Sequence, residues 1–131
     1  MWVDPWVRAA ASGVSATGAS LPRVRQERVG PFRALVPQTR HERARGLLGR
    51  RAIGSDEGLL LRRCRSVHTF GMRFAIDAVL LDRTWRVIGV VRLVPGRVLL
   101  PRPRVRHVLE VAPGAGPRPG VRLIPRPAPP A

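Results

Sequence analysis

The stretch SVHTFGMRFAID, Ser66 to Asp77, sets a histidine, a threonine, an arginine and an aspartate among apolar residues. An imidazole and a hydroxyl side by side at a loop end suit ligand recognition. A carboxylate inside an apolar strand serves as a general base, a ligand anchor or a structural acceptor. His68, Thr69, Arg73 and Asp77 therefore form the candidate ligand-binding set. Asp77 is the most informative of them, because between Ile76 and Ala78 it is costly to bury unpaired. In the structural reading it accepts backbone amides or an arginine such as Arg45. In the functional reading it anchors a ligand or takes a proton. For His68 the competing reading is a hydrogen bond to a loop carbonyl. Phe70, Met72 and Phe74 read as core and not as a cofactor pocket.

Other constellations are weaker. Cys64, His68 and Asp77 contain the residue types of a nucleophile, a base and an orienting acid, and arginines flank Cys64, but spacing alone does not assemble them. A lone cysteine is more often an inert small hydrophobe. Cys64, His68, His41 and His107 lack the paired spacing of a metal site, so no metal is expected, and no cofactor motif is present. Arg62, Arg63, Arg65 and Arg73 cluster near the motif and offer forks for a carboxylate or phosphate. Their mutual repulsion calls for Glu57, Asp77 or a bound anion.

The chain has 131 residues, 24 of them arginine and none lysine or asparagine, with a formal net charge of +16. Such a charge ordinarily points to nucleic acid. Here alanine, glycine, proline and arginine together dominate, the residues of GC-rich codons, so the charge reflects coding bias as readily as function. Aromatics for base stacking are scarce, which leaves only weak nucleic-acid binding without sequence preference. One cysteine excludes an intramolecular disulfide. The N-terminal stretch lacks the pattern of a secretory signal, and no run is long enough to span a membrane. A soluble, cytoplasmic monomer is the expectation.

These residues must be positioned by a small domain. Residues 1–29 show no sustained period and read as a flexible leader, residues 30–124 as the folded unit, and residues 125–131 as a Pro-rich tail. FRALV at Phe32–Val36 alternates as a first strand ended by Pro37. A helix then starts at Thr39, whose spacing to Glu42 makes a capping box, with Ala44, Leu47 and Leu48 on its inner face and Gly49 as its stop. EGLLL reads as a buried strand. From Phe70 to Ile76 alternate residues are apolar, predicting a strand that continues through AVLL, turns at DRTW and returns as RVIGVVRLV. VRHVLEVA is a further strand. The predicted class is mostly β with minor α+β character: a single domain with a partly closed antiparallel barrel-like core and one helix after the first strand.

The order TRHERARGLLGR, EGLLL, CRSVHTFGMRFAIDAVLLD and VLEVAPG resembles the domain of unknown function family 192, also called uncharacterised protein family 0127, over about Phe32 to Gly120. The resemblance implies a compact β-rich domain and no established activity. Two departures stand out: Ala75 where the family often has proline, and GVRLIPRP where it closes with a Gly-Asp turn and a last strand. The functional expectation is an accessory binding module whose cleft near His68, Thr69, Arg73 and Asp77 takes a small anionic ligand or a protein segment. The alternatives are a hydrolase-like enzyme using His68 and Asp77, and weak nucleic-acid binding.

Overall fold

The computed structural model describes residues 24–128. It contains β1 (Arg25–Val29), β2 (Phe32–Val36), α1 (Arg40–Arg45), β3 (Glu57–Leu61), β4 (Val67–His68), β5 (Ile76–Leu81), β6 (Val87–Leu93), β7 (Val98–Leu99), β8 (His107–Val111) and β9 (Pro125–Pro127). One seven-stranded sheet runs β6-β5-β8-β3-β2-β1-β9, and β4 pairs with β7 in a separate two-stranded ribbon.

The domain begins earlier than periodicity indicates. β1 lies within the expected leader and pairs with β2 along its whole length. Gly30 sits at φ 58°, the positive value that the first central position of a two-residue type II′ turn requires, so Gly30-Pro31 joins a tight hairpin. Glu27, also in the expected leader, is 2% exposed. It is held by Arg62 at 2.7 Å and Arg25 at 2.8 Å. The rest of the expected leader, residues 1–23, lies outside the described residues. At the other end the expected tail contributes β9, antiparallel to β1.

The helix follows the second strand. Its capping box forms as expected, the Thr39 hydroxyl accepting from the Glu42 amide while the Glu42 carboxylate accepts from the Thr39 amide. It is short, because Gly46 already adopts φ 42° and caps it, leaving Ala44 exposed and Leu47 buried in the exit turn. This helical crossover lets β3 return parallel to β2, the one parallel pairing in an otherwise antiparallel sheet among the described residues.

The long alternating strand is shorter than expected. Residues 69–75 form a turn-rich connection, and the strand starts at Ile76. Phe70 is therefore exposed while Met72 is buried, so Phe70, Met72, Phe74 and Ile76 do not share a face as one strand. The DRTW turn does form: the Asp82 carboxylate accepts from the amides of Thr84 and Arg86 and from the Thr84 hydroxyl. β5 and β6 pair as the expected hairpin.

The sheet is covered on both faces, which is why β5 and β8 are buried at every position and read as continuous apolar runs. One face packs Phe32, Val36, Leu60, Val79, Leu109 and Leu123. The other packs Leu47, Leu59, Leu61, Met72, Ala78, Leu80 and Val108 under the exit turn of α1 and the β4–β7 ribbon. Residues 120–123 then bond to the start of β6, the Val87 amide donating to the Val121 carbonyl and the Leu123 amide to the Trp85 carbonyl, before the chain continues into β9 against β1. This single segment touches both edges of the sheet without a continuous ladder, so the core is partly closed.

Candidate functional site

A cleft of about 250 Å³ opens between α1 and β4. Arg43 to Leu48, the helix end and its turn, form one wall; Leu59 and Leu61 of β3 with Glu110 of β8 form the floor. Cys64, Ser66, Val67, His68, Phe70 and Met72 form the opposite wall. Gly46 shapes the first wall: a Cβ there would come within 3.3 Å of the Leu59 side chain, and the backbone lies in the left-handed range.

Only one member of the expected set reaches this cleft. His68 is exposed at its rim and stacks on Phe70, ring centroids 5.2 Å apart. Thr69 is fully buried and ties the ribbon together, its hydroxyl donating to the Val94 carbonyl at 2.7 Å and accepting from the Arg97 amide at 2.8 Å. Arg73 is exposed and is not among the cleft-lining residues. Asp77 points to the opposite face of the sheet, the face of Val79 and Leu81.

Asp77 follows the structural reading with a different arginine. Its carboxylate accepts from Arg92 on the paired strand and from the Gly114 amide at 2.8 Å, not from Arg45. Burial works against its charge, but Arg92 and the Gly114 amide outweigh burial and hold the carboxyl below the usual range. The His68–Asp77 pair required for the hydrolase-like alternative is thus divided between two faces. The same division separates Asp77 from Cys64 and His68.

Cys64 lines the cleft and its Sγ donates to the Ser66 carbonyl at 3.0 Å. Burial pushes the thiol up from its ordinary range, with Arg43 pulling it down and Glu110 adding to the rise. A thiol held protonated is a poor nucleophile. Among the described residues no group of three or more His, Cys, Asp or Glu is placed to hold a metal. His107 is committed elsewhere: its ring stacks on Trp85 at 3.8 Å, and its Nδ1 accepts from the Arg63 amide at 3.0 Å. Burial, then Arg62, Arg106 and Arg63, push its pKa down to about 4. Arg62 itself pairs with Glu27 and lies 5.4 Å over the Trp85 ring, so the arginine cluster finds part of its compensation in a residue of the expected leader.

The residue that sequence reasoning passed over is Glu110. It is 5% exposed, set in register between Leu59 and Ala78, and burial alone pushes its pKa up to about 8. A charged residue between Leu109 and Val111 carries the same signal that singles out Asp77, within a segment, VLEVA, that otherwise reads as a plain strand.

A half-closed sheet with a side cleft walled by apolar residues and a buried carboxyl on its floor defines a small β-rich domain. The DUF192 family model, described as an uncharacterised ACR, matches residues 23–123, and the chain belongs to that family. A UPF0127 protein of Pyrococcus horikoshii is 40% identical over 45 residues, which is 34% of this chain and 39% of that protein. The chain therefore matches well under half the length of that relative. Two solved structures share the fold. A protein of unknown function from Novosphingobium aromaticivorans aligns with TM-score 0.63 and 22% identity over 77% of this chain and 83% of its own. A putative transcription regulator from Sinorhizobium meliloti aligns with TM-score 0.63 and 21% identity over 76% and 90%. Among the described residues no helix is long and apolar enough to cross a membrane.

Proposed function

We propose that the domain is a binding module whose cleft between α1 and β4 takes a small ligand with an apolar body and an oxygen-bearing head. The supporting observation is the cleft itself: leucine walls around a buried carboxyl, with Arg43 and His68 at the rim. Its volume of about 250 Å³ is below the roughly 300–1,000 Å³ of drug-sized sites, which favours a compact ligand. Leu48, half-buried on the cleft wall, gives the test. A Leu48→Trp variant fills the cleft from the exit turn and leaves every sheet residue unchanged. Ligand-observed NMR with a fragment library should give hits on the wild type that disappear on L48W, while both proteins keep the same circular dichroism. Hits that persist unchanged on L48W refute the assignment.

A protein segment is the second reading, favoured by the exposed Phe70, Val98 and Leu100 on the ribbon beside the cleft mouth. It differs in its outcome, because a partner gripping the ribbon survives L48W and is lost on Phe70→Ser.

A further inference from the structure

Glu110 is a cost to the fold unless something uses it. The side chain is nine-tenths buried, lines the cleft floor, and is flanked in register by Leu59 on β3 and Ala78 on β5, neither of which can hydrogen-bond to it. The titratable and charged groups that share the cleft with it are Arg43 and Arg45 of α1 and Cys64 and His68 of the opposite wall. The Arg43 guanidinium donates to the Arg62 carbonyl at 2.6 Å, and the Cys64 thiol is turned to Ser66. Glu57 and Asp77, the carboxylates expected to answer the arginine cluster, are instead engaged by Arg50 and Arg92. Among the described residues Glu110 is thus the one carboxyl that lines the cleft.

Resting on the binding role above, we propose that Glu110 selects the ligand's head group: in its neutral form the carboxyl donates a hydrogen bond from the cleft floor to a carbonyl or carboxylate oxygen, and ammonium heads are refused. The ligand class is a short acyl compound, an amide or acid whose aliphatic chain lies along Leu47, Leu48 and Leu61. Three features converge on this choice. A neutral carboxyl donates one O–H and prefers an acceptor facing it. Arg43 and Arg45 on the adjoining wall repel a cation. The remaining lining offers an aliphatic chain mostly carbon to touch. The raised proton affinity of Glu110 keeps the donating form dominant at neutral pH.

Matched six-carbon probes make the test: hexanamide, hexanoate and hexylamine, followed by ligand-observed NMR on the full chain, with L48W as the blocked control. At pH 6.5 hexanamide and hexanoate should bind and hexylamine should not. Between pH 6.5 and 9 the affinity for hexanamide should fall about tenfold, the loss of the protonated fraction of a group titrating near 8. Glu110→Gln presents an N–H at the same place and does not titrate, so it should keep hexanamide and lose the pH dependence. Glu110→Leu should lose the discrimination among heads. A preference for hexylamine at pH 6.5, or hexanamide binding that is blocked by L48W yet independent of pH in the wild type, overturns the role of Glu110 and leaves the cleft assignment standing. Binding of none of the probes, or binding indifferent to L48W, overturns both.

Discussion

Replacing Glu110 by glutamine should stabilise the domain, and by an amount that grows with pH. The folded chain holds its Glu110 proton up to about pH 8, whereas in the unfolded chain the same group titrates near 4.5. Between those values the folded state binds a proton that the unfolded state has released, so stability falls as pH rises from about 4.5 and levels off above about 8. Integrated to pH 7 this is a loss of roughly 3 kcal/mol, and roughly 5 kcal/mol once the group has ionised in both states. Both figures are upper limits, since water entering the cleft relaxes part of the penalty. Glutamine keeps the shape and has no charge to desolvate. Urea unfolding of wild type and Glu110→Gln at pH 4, 7 and 9 should give curves that nearly coincide at pH 4 and separate progressively, with E110Q the more stable. His107 titrates identically in both proteins and cancels in the difference. A constant difference between the two proteins across this range would mean that Glu110 ionises in the folded state as it does in water, and the account of the cleft floor would fall.

Three further outcomes follow from the same geometry. Asp77→Ala should cost about 1 to 2 kcal/mol by denaturant unfolding, because the Gly114 amide loses its acceptor while Arg92, more than half exposed, returns to water. With its carboxyl held below the usual range, the wild-type contribution of Asp77 is present above its ordinary titration near 3.8 and is lost as pH falls through the lower folded value, a slope absent from Asp77→Ala. His107 is held neutral to about pH 4, so its share of stability is intact above about 6.5 and declines as pH falls towards 4; His107→Phe should flatten that decline in thermal melts, at the cost of the Arg63 amide's acceptor. His68→Ala should leave unfolding within about 0.5 kcal/mol of wild type, since the ring is exposed at the cleft rim.

Much of the architecture was legible because it is local. The Thr39–Glu42 box, the EGLLL strand and the DRTW hairpin each carry their cause within a few residues, and each forms. The misplacements arise where the cause is distant. β1 reads as leader because RQERV is polar by composition, and the approach of Arg62, 35 residues away, joins Arg25 in making a buried Glu27 tolerable. Phe70 to Ala75 alternate like a strand but find no ladder partner among the described residues. Instead the Met72 amide donates to the Thr69 carbonyl, and that carbonyl also accepts from Gly96, which turns the chain before β5 begins.

The two buried carboxyls of the central strands show the same limit at the level of the site. Asp77 and Glu110 are both acids inside apolar runs, on paired strands at neighbouring register positions, and nothing local distinguishes them. Alternation sends them to opposite faces, and the faces decide their chemistry. On one, Arg92 projects from the adjoining strand and the loop at Gly114 turns an amide inward, so Asp77 is paired within the fold. On the other, Glu110 meets Leu59, Ala78 and the open space left by the early stop of α1 at Gly46. A longer helix would carry Leu47 and Leu48 round with the turn and alter that space; the positive φ at Gly46 keeps the turn open. The carboxyl that stands out in the sequence is therefore engaged by the fold, and the one that reads as strand filler lies on the cleft floor between two apolar register neighbours.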